Sequence, residues 1–411
     1  MKDEKILNVT GDVSWIGILD YDIVTFDVVM KTQYGTTYNS YFINAGKKAI
    51  VETAKETFSE TYLNKVRSVC NPEEIEYIIM NHTEPDHSGS LEALLAIAPN
   101  ATVVGTGNAI RYLKDIVGTE FRYQQVKDGD TLSLGNKTLR FIGAPHLHWP
   151  DTMYTYLEED KLLFTCDSFG AHYCNDKMFD DLTGNYDDAF DYYFDVILKP
   201  YSKYMLKAIE KIRNLEIDQI CTGHGPILRT TWKQRMDESE EKAREALRLV
   251  EPRRVYIPYV SAYHNTAMLA EEIAAGIREA GDIQVITQDI EKEELSAIDD
   301  QISRASGIII GSPIINQNIL LHIYQVFALM NPLRDKGKLA GAFGSYGWSG
   351  EGPKIIESCL TNLKLKITGE SVFIKFTPHA ADIEKARAYG LNFGKMILEK
   401  EQNGDTECSD K

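Results

Sequence analysis

Asn81-His82-Thr83-Glu84-Pro85-Asp86-His87-Ser88-Gly89 decides how this chain is read. Four potential metal ligands, His82, Glu84, Asp86 and His87, fall within six residues. They directly follow the apolar run Tyr77–Met80, which places them on a loop at the C-terminal end of a strand, where residues that carry chemistry gather. A lone histidine is usually structural. Four donors of three types, packed between a strand and a helix, point to metal instead.

Three more donors repeat the context. His148 lies beyond the apolar segment Leu139–Ala144, Asp167 directly follows Leu162–Cys166, and His224 follows Ile220-Cys221 in Thr222-Gly223-His224-Gly225-Pro226. A sheet could present them all at one edge. Seven donors, four imidazoles and three carboxylates, exceed one tetrahedral zinc and suit two metals about 3.5–4 Å apart under a bridging carboxylate or water-derived oxygen. This mixed nitrogen and oxygen set fits iron, manganese or zinc and does not fit copper(I).

The loop resembles the H-x-H-x-D-H signature of the metallo-β-lactamase fold, but reads H-x-E-x-D-H. Glu84 puts an anionic oxygen where a neutral imidazole is usual, which favours a harder, redox-active ion. This variant, with the later His148, Asp167 and His224, looks like the flavodiiron protein family, over nearly the whole chain. The resemblance implies a metallo-β-lactamase-like αββα sandwich followed by a flavodoxin-like domain. It implies one iron held by His82, Glu84, His148 and Asp167, and a second by Asp86, His87, Asp167 and His224, with Asp167 as the bridge. His146 stands two residues before His148; His148 is preferred because the family's histidine immediately precedes W-P-D, as in His148-Trp149-Pro150-Asp151. His146 and His172 then have supporting or structural roles. A family tyrosine near the irons matches Tyr193, within Asp191-Tyr192-Tyr193-Phe194.

The second half alternates strand and helix. Val255–Val260, Gln284–Gln288, Gly307–Gly311, Leu339–Gly344 and Val372–Lys375 read as strands, with helical patterns between them. Such alternation means a doubly wound parallel sheet, and about five strands in roughly 150 residues match a flavodoxin-like domain. After the first strand comes Ser261-Ala262-Tyr263-His264-Asn265-Thr266, a hydroxyl-rich loop opening a helix and therefore a candidate phosphate site. After the third and fourth strands come loops carrying Pro313, Ile314, Asn316 and Asn318, and Ser345, Tyr346, Gly347, Trp348 and Gly350. Together they surround the switch point where such sheets bind ligands. The pattern resembles flavodoxin, with Trp348 placed to pack on the isoalloxazine. It departs at His264, where the family's phosphate loop usually has glycine. No G-x-G-x-x-G dinucleotide fingerprint occurs, which favours FMN over FAD.

The chain has 411 residues, enough for two domains of roughly 150–250 residues. The Pro252 that follows the polar segment Thr231–Val250 marks the boundary, giving 1–250, 251–400 and a polar, disordered tail at 401–411. Net charge is −17, which makes nucleic acid and anionic membrane poor partners. No apolar run approaches the roughly 20 residues that span a bilayer, and Met1–Lys5 is not followed by a signal-peptide core, so a cytoplasmic location is expected. Six cysteines without a C-x-x-C pair exclude a rubredoxin-type site within the chain.

The expected activity is reduction of dioxygen to water or of nitric oxide to nitrous oxide, with FMN relaying electrons from an external donor. The family resemblance implies rubredoxin or a reduced deazaflavin as that donor, and a head-to-tail homodimer or dimer of dimers. The rival is a dizinc hydrolase with a fused flavodoxin domain; a second is an electron carrier or redox sensor with structural metal.

Overall fold

In the computed structural model, residues 4–26, 30–248 and 250–407 are described, and the chain divides into compact units Met1–Glu245 and Ala246–Lys411. The first unit holds a seven-stranded and a five-stranded sheet. The larger is ordered Leu7–Asn8, Val13–Trp15, Tyr41–Ile43, Lys48–Val51, Ile75–Ile79, Thr102–Thr106, Tyr123–Val126. The smaller is ordered Thr131–Ser133, Thr138–Gly143, Met153–Leu157, Leu162–Cys166, Gln219–Thr222.

Side-chain alternation along the strands explains the layering. Val51, Ile79 and Val104, adjacent in register, cluster with Leu139, Phe141 and Phe164 of the other sheet. Their neighbours Ile50, Ile78 and Val103 cluster with helical residues Tyr62, Val66, Leu91 and Leu94. The central strands are thus buried on both faces, as their unbroken apolar runs require.

The β-rich segment Thr37–Ile43 reads from the sequence as one strand, and the structure departs from that reading. Thr37–Ile43 divides into Thr36–Tyr38, which pairs with Ile18–Asp20, and Tyr41–Ile43, which joins the large sheet. The break serves Asn39. Its buried Nδ2 donates to the carbonyls of Thr222 and Gly225 at 2.9 and 3.0 Å, and its Oδ1 accepts from Trp15 Nε1 at 2.9 Å, so the turn is tied to the loop carrying His224.

The second unit is a parallel sheet ordered Gln284–Asp289, Glu251–Tyr259, Ala305–Gly311, Leu339–Tyr346, Lys366–Ile367, with Val372–Lys375 also pairing Leu339–Tyr346. Helices Asn265–Ala280 and Ala380–Glu407 cover one face, and Leu295–Arg304, Leu321–Leu329 and Gly352–Asn362 the other. The chain's first and third strands of this unit are neighbours, so the order reverses beside the first. The final helix continues into the segment expected as a disordered tail, as far as Glu407; Arg253 Nε donates to Glu401 Oε2 at 2.7 Å and holds its start, while residues 408–411, Cys408 included, lie outside the described residues. Among the described residues no helix is long and apolar enough to cross a membrane.

Candidate metal centre and flavin site

The seven expected donors meet in two groups that share Asp167. Glu84 Oε2 stands 3.3 Å from His82 Nε2 and 2.8 Å from His148 Nε2, and Asp167 Oδ2 lies 3.5 and 3.7 Å from the same two nitrogens. On the other side, Asp86 Oδ2 lies 3.5 Å from His87 Nε2 and 3.1 Å from His224 Nε2, and Asp167 Oδ1 is 3.2 and 3.4 Å from them. One carboxylate therefore offers a separate oxygen to each group. Sharp backbone makes this possible: the parallel pairing of Leu162–Cys166 with Gln219–Thr222 shifts register between Phe164 and Cys166, and Cys166 has a φ of 53°.

Both oxygens of Asp86 and Oδ2 of Asp167 are buried without a hydrogen-bond donor. Orphaned buried carboxylate oxygens among imidazole nitrogens offer the lone pairs that metal ions take, so the residues fit a pair of metals. Burial alone would lower the imidazoles. Hydrogen bonds to Asp151 and Glu84 and the charge of Asp167 nonetheless hold His82 up at about 10, and Asp167 and Asp86 hold His224 at about 9. Burial likewise opposes ionisation of Asp86 and Asp167, yet the neighbouring imidazoles keep both below the usual carboxylate range. Metal ions would displace the imidazole protons and take over this charge balance.

The outer nitrogens are held too. His82 Nδ1 faces Asp151 Oδ2 at 3.2 Å, His224 Nδ1 donates to the Thr37 carbonyl at 2.6 Å, and His87 Nδ1 faces Glu52 Oε2 at 3.3 Å. Such partners fix the ring orientation and the tautomer. Asp151 also accepts from Thr83 N and Oγ1 at 2.8 and 2.9 Å, and Glu52 Oε1 accepts from the backbone of Asn81 at 2.5 Å. Neither acid was singled out from the sequence. The available signal for Glu52 was that it closes the buried strand Lys48–Val51, the placement shared by the metal donors.

Tyr193 is buried with its hydroxyl donating to Asp167 Oδ1 at 3.2 Å, and burial beside that anion keeps the phenol protonated. It ends the helix Asp187–Tyr193, and a π-helical turn, Phe194–Leu198, follows. His172 does not join the donors. Its Nδ1 bonds Thr36 Oγ1 at 2.9 Å, its ring packs on Phe26, Tyr193 and His224, and burial pushes it down to about 3, so it is neutral. His146 stacks on Tyr204 with centroids 4.5 Å apart and is outside both groups.

In the second unit, a pocket of about 320 Å³ lies among the three expected loops. Tyr263, Asn265, Pro313, Ile314, Asn316, Ser345, Tyr346, Gly347 and Trp348 line it, together with Ile315, Ser349 and Phe376, which were not expected. The other five candidates support the loops. Ser261 Oγ accepts from Ala267 N at 3.1 Å, Thr266 Oγ1 bonds Ser345 Oγ at 3.2 Å, and Asn318 Oδ1 accepts from Tyr324 Oη at 2.8 Å. Gly350 lies against the Tyr346 ring, where an added Cβ would be 3.3 Å away. His264 precedes the helix Asn265–Ala280 with a φ of 63°, in the left-handed region where glycine is the usual residue. The exposed Trp348 and Tyr263 offer aromatic surface for a planar ring system, and the helix start offers free N–H groups for its phosphate.

A two-group carboxylate and imidazole cage on a metallo-β-lactamase-like unit, in one chain with a flavin-type pocket, defines a two-metal flavoprotein. Residues 36–225 match the model described as ODP family beta lactamase, and residues 257–390 match Flavodoxin. The flavo-diiron protein FprA2 of Clostridium acetobutylicum is 39% identical over 95% of this chain and 99% of its own. The anaerobic nitric oxide reductase flavorubredoxin of Vibrio vulnificus is 32% identical over 97% of this chain and 81% of its own. The structure of rubredoxin oxygen:oxidoreductase from Desulfovibrio gigas superposes with a TM-score of 0.67 at 28% identity, covering 96% of this chain and 99% of that one. The chain belongs to the flavodiiron protein family, whose members carry a diiron centre and, on the flavodoxin domain, FMN.

Proposed function

We propose that this flavodiiron oxidoreductase reduces dioxygen to water, nitric oxide to nitrous oxide, or both, drawing on an external donor such as rubredoxin or a reduced deazaflavin. The observation that carries the reading is Asp167, whose two oxygens each face one donor group while Tyr193 donates to one of them. Two ferrous ions and a reduced flavin together supply four electrons, the number that takes dioxygen to water; two nitric oxides need two.

His82, Glu84, His148 and Asp167 would hold one iron, and Asp86, His87, Asp167 and His224 the other. Glu84 and His148 keep side-chain exposures of 12% and 16%, against 0–2% for the other imidazoles and Asp167, so the site opens on their side. Tyr193, kept protonated, is a hydrogen-bond donor at the closed side. The buried Glu52 and Asp151 hold the imidazoles of His87 and His82 in place. A homodimer, head-to-tail, and a cytoplasmic setting complete the proposal by family likeness.

Anaerobic reduction followed by parallel oxygen and nitric oxide consumption assays tests the reading. Turnover of either gas at a metal content of two irons per chain supports it. Two zincs per chain in native protein, with hydrolytic turnover, would replace it with the dizinc hydrolase.

A further inference from the structure

Phe376 lines the flavin pocket from a fourth loop, just beyond the strand Val372–Lys375. Its conformation is costly in two ways. The ring is 60% exposed, so it gains little from burial, and the backbone has a φ of 59°, a true outlier for a bulky aromatic residue. Nothing in the fold loosens it there. The last ladder pair is Tyr346 with Lys375, and the Phe376 N–H then donates to the Tyr346 carbonyl at 2.7 Å, which fixes the backbone directly beside the pocket wall. An added Cβ on Gly347 would come within 3.2 Å of the Phe376 ring, so the absent side chain at 347 leaves the ring its place. Around the pocket, His264, Asn316 and Gln317 also have left-handed φ, of 63°, 53° and 63°. Asn316 and Gln317 owe their φ to a two-residue turn closed by reciprocal hydrogen bonds between Ile315 and Asn318, whereas no such turn accounts for Phe376.

We infer that Phe376 is a flavin-binding residue, an aromatic contact for the isoalloxazine contributed by the loop after the last strand, alongside Trp348. The inference rests on this pocket being the flavin's. A ring held in the open at the pocket edge is apolar surface that a planar heteroaromatic ligand would cover, and stacked aromatic pairs gain beyond the area they bury.

The test uses the full-length, metal-containing protein stripped of FMN, with rebinding followed by quenching of FMN fluorescence. Phe376→Gly suits the observed φ and removes the ring; it is expected to raise the dissociation constant about tenfold, the change worth about 1.4 kcal/mol. Phe376→Tyr keeps the ring and is expected to stay within about twofold of the parent, with the parent's bound-flavin absorption spectrum. If glycine binds FMN as tightly as phenylalanine, residue 376 only shapes the turn and the inference fails. It fails also if tyrosine binds as poorly as glycine. A parent protein that takes up no FMN would overturn the pocket assignment itself, an outcome distinct from both.

Discussion

At the scale of single residues, the shared carboxylate makes the sharpest demand. Asp167→Asn keeps the shape of the side chain but removes the anion that faces both donor groups. Loss of one partner from a buried charge cluster costs on the order of 3–5 kcal/mol. Metal analysis of the variant is expected to show both irons lost, with oxygen and nitric oxide turnover gone, while FMN stays bound and reducible because its loops lie in the other unit. Retention of both irons would mean that Asp167 bridges nothing. His264 is tested by a different substitution. With a φ of 63° and an exposed side chain, it tolerates glycine, whereas the β-branched His264→Val is expected to cost about 1–2 kcal/mol and to lower the melting temperature of the flavin-binding unit by several degrees. A melting temperature equal to the parent's would show that the loop relaxes around residue 264. The seven candidate donors were legible in the sequence because each lies within a few residues of the end of an apolar strand or of another donor, although the choice of His148 over His146 rested on the family's W-P-D. Glu52 was not, since it comes to His87 only when Val51 pairs with Ile79 across parallel strands from different parts of the chain.

At the scale of elements, the flavodoxin-like unit depends on how closely its two long helices approach. Helix Asn265–Ala280 meets helix Ala380–Glu407 where a Cβ on Gly276 would stand 2.0 Å from the Arg387 carbonyl oxygen and one on Gly390 2.0 Å from that of Ile273. Both obstacles are backbone, so neither can turn aside. Gly390→Ala must push the helices apart, and overpacking of this kind costs about 1–3 kcal/mol or more. Thermal unfolding is expected to show the flavin-binding unit destabilised by that amount, with the iron content unchanged. Gly11→Ala, where an added Cβ meets nothing within 4 Å, serves as the neutral control. A melting curve for Gly390→Ala that matches the control's would mean the helices are less tightly joined than drawn. The same elements show what patterning can and cannot reveal. Strands covered on both faces, such as Ala305–Gly311, read as unbroken apolar runs with turn signals at each end. The two-residue strand Lys366–Ile367 carries no period at all and exists only because Leu339 and Ala340 lie alongside it. Thr37–Ile43 read as one strand because it is rich in β-forming residues; in the fold its buried polar pair, Asn39-Ser40, marks the point where the chain changes sheets.

At the scale of the molecule, each unit encloses its own apolar clusters and its own cofactor site, and this makes the ligands separable probes of stability. The proposed metal donors sit on loops after four different strands, so bound ions would cross-link segments from residue 82 to residue 224 and offset both oxygens of Asp86 and Oδ2 of Asp167, which have no hydrogen-bond donor. Without ions, those carboxylates are buried beside imidazoles, with the Tyr193 hydroxyl on Asp167 Oδ1 as the remaining donor. FMN, by contrast, would on this reading bind the pocket of the flavodoxin-like unit, and at a free concentration 100 times its dissociation constant it adds about 2.7 kcal/mol. For a unit of roughly 150–250 residues, where 1 kcal/mol moves the melting temperature by about 2–4 °C, that is a shift of about 5–11 °C. Calorimetry of the holoprotein, of protein stripped of FMN, and of reduced protein treated with chelator is therefore expected to resolve two transitions. FMN removal should lower one of them by that amount, and chelation should lower the other, through the buried carboxylates, by at least as much. Coupling between units, within a chain or across a dimer, would make the second transition follow the first by a smaller shift. One transition that moves equally with either ligand would show that the two sites share a single cooperative structure, and the assignment of each cofactor to its own unit would then have to be abandoned.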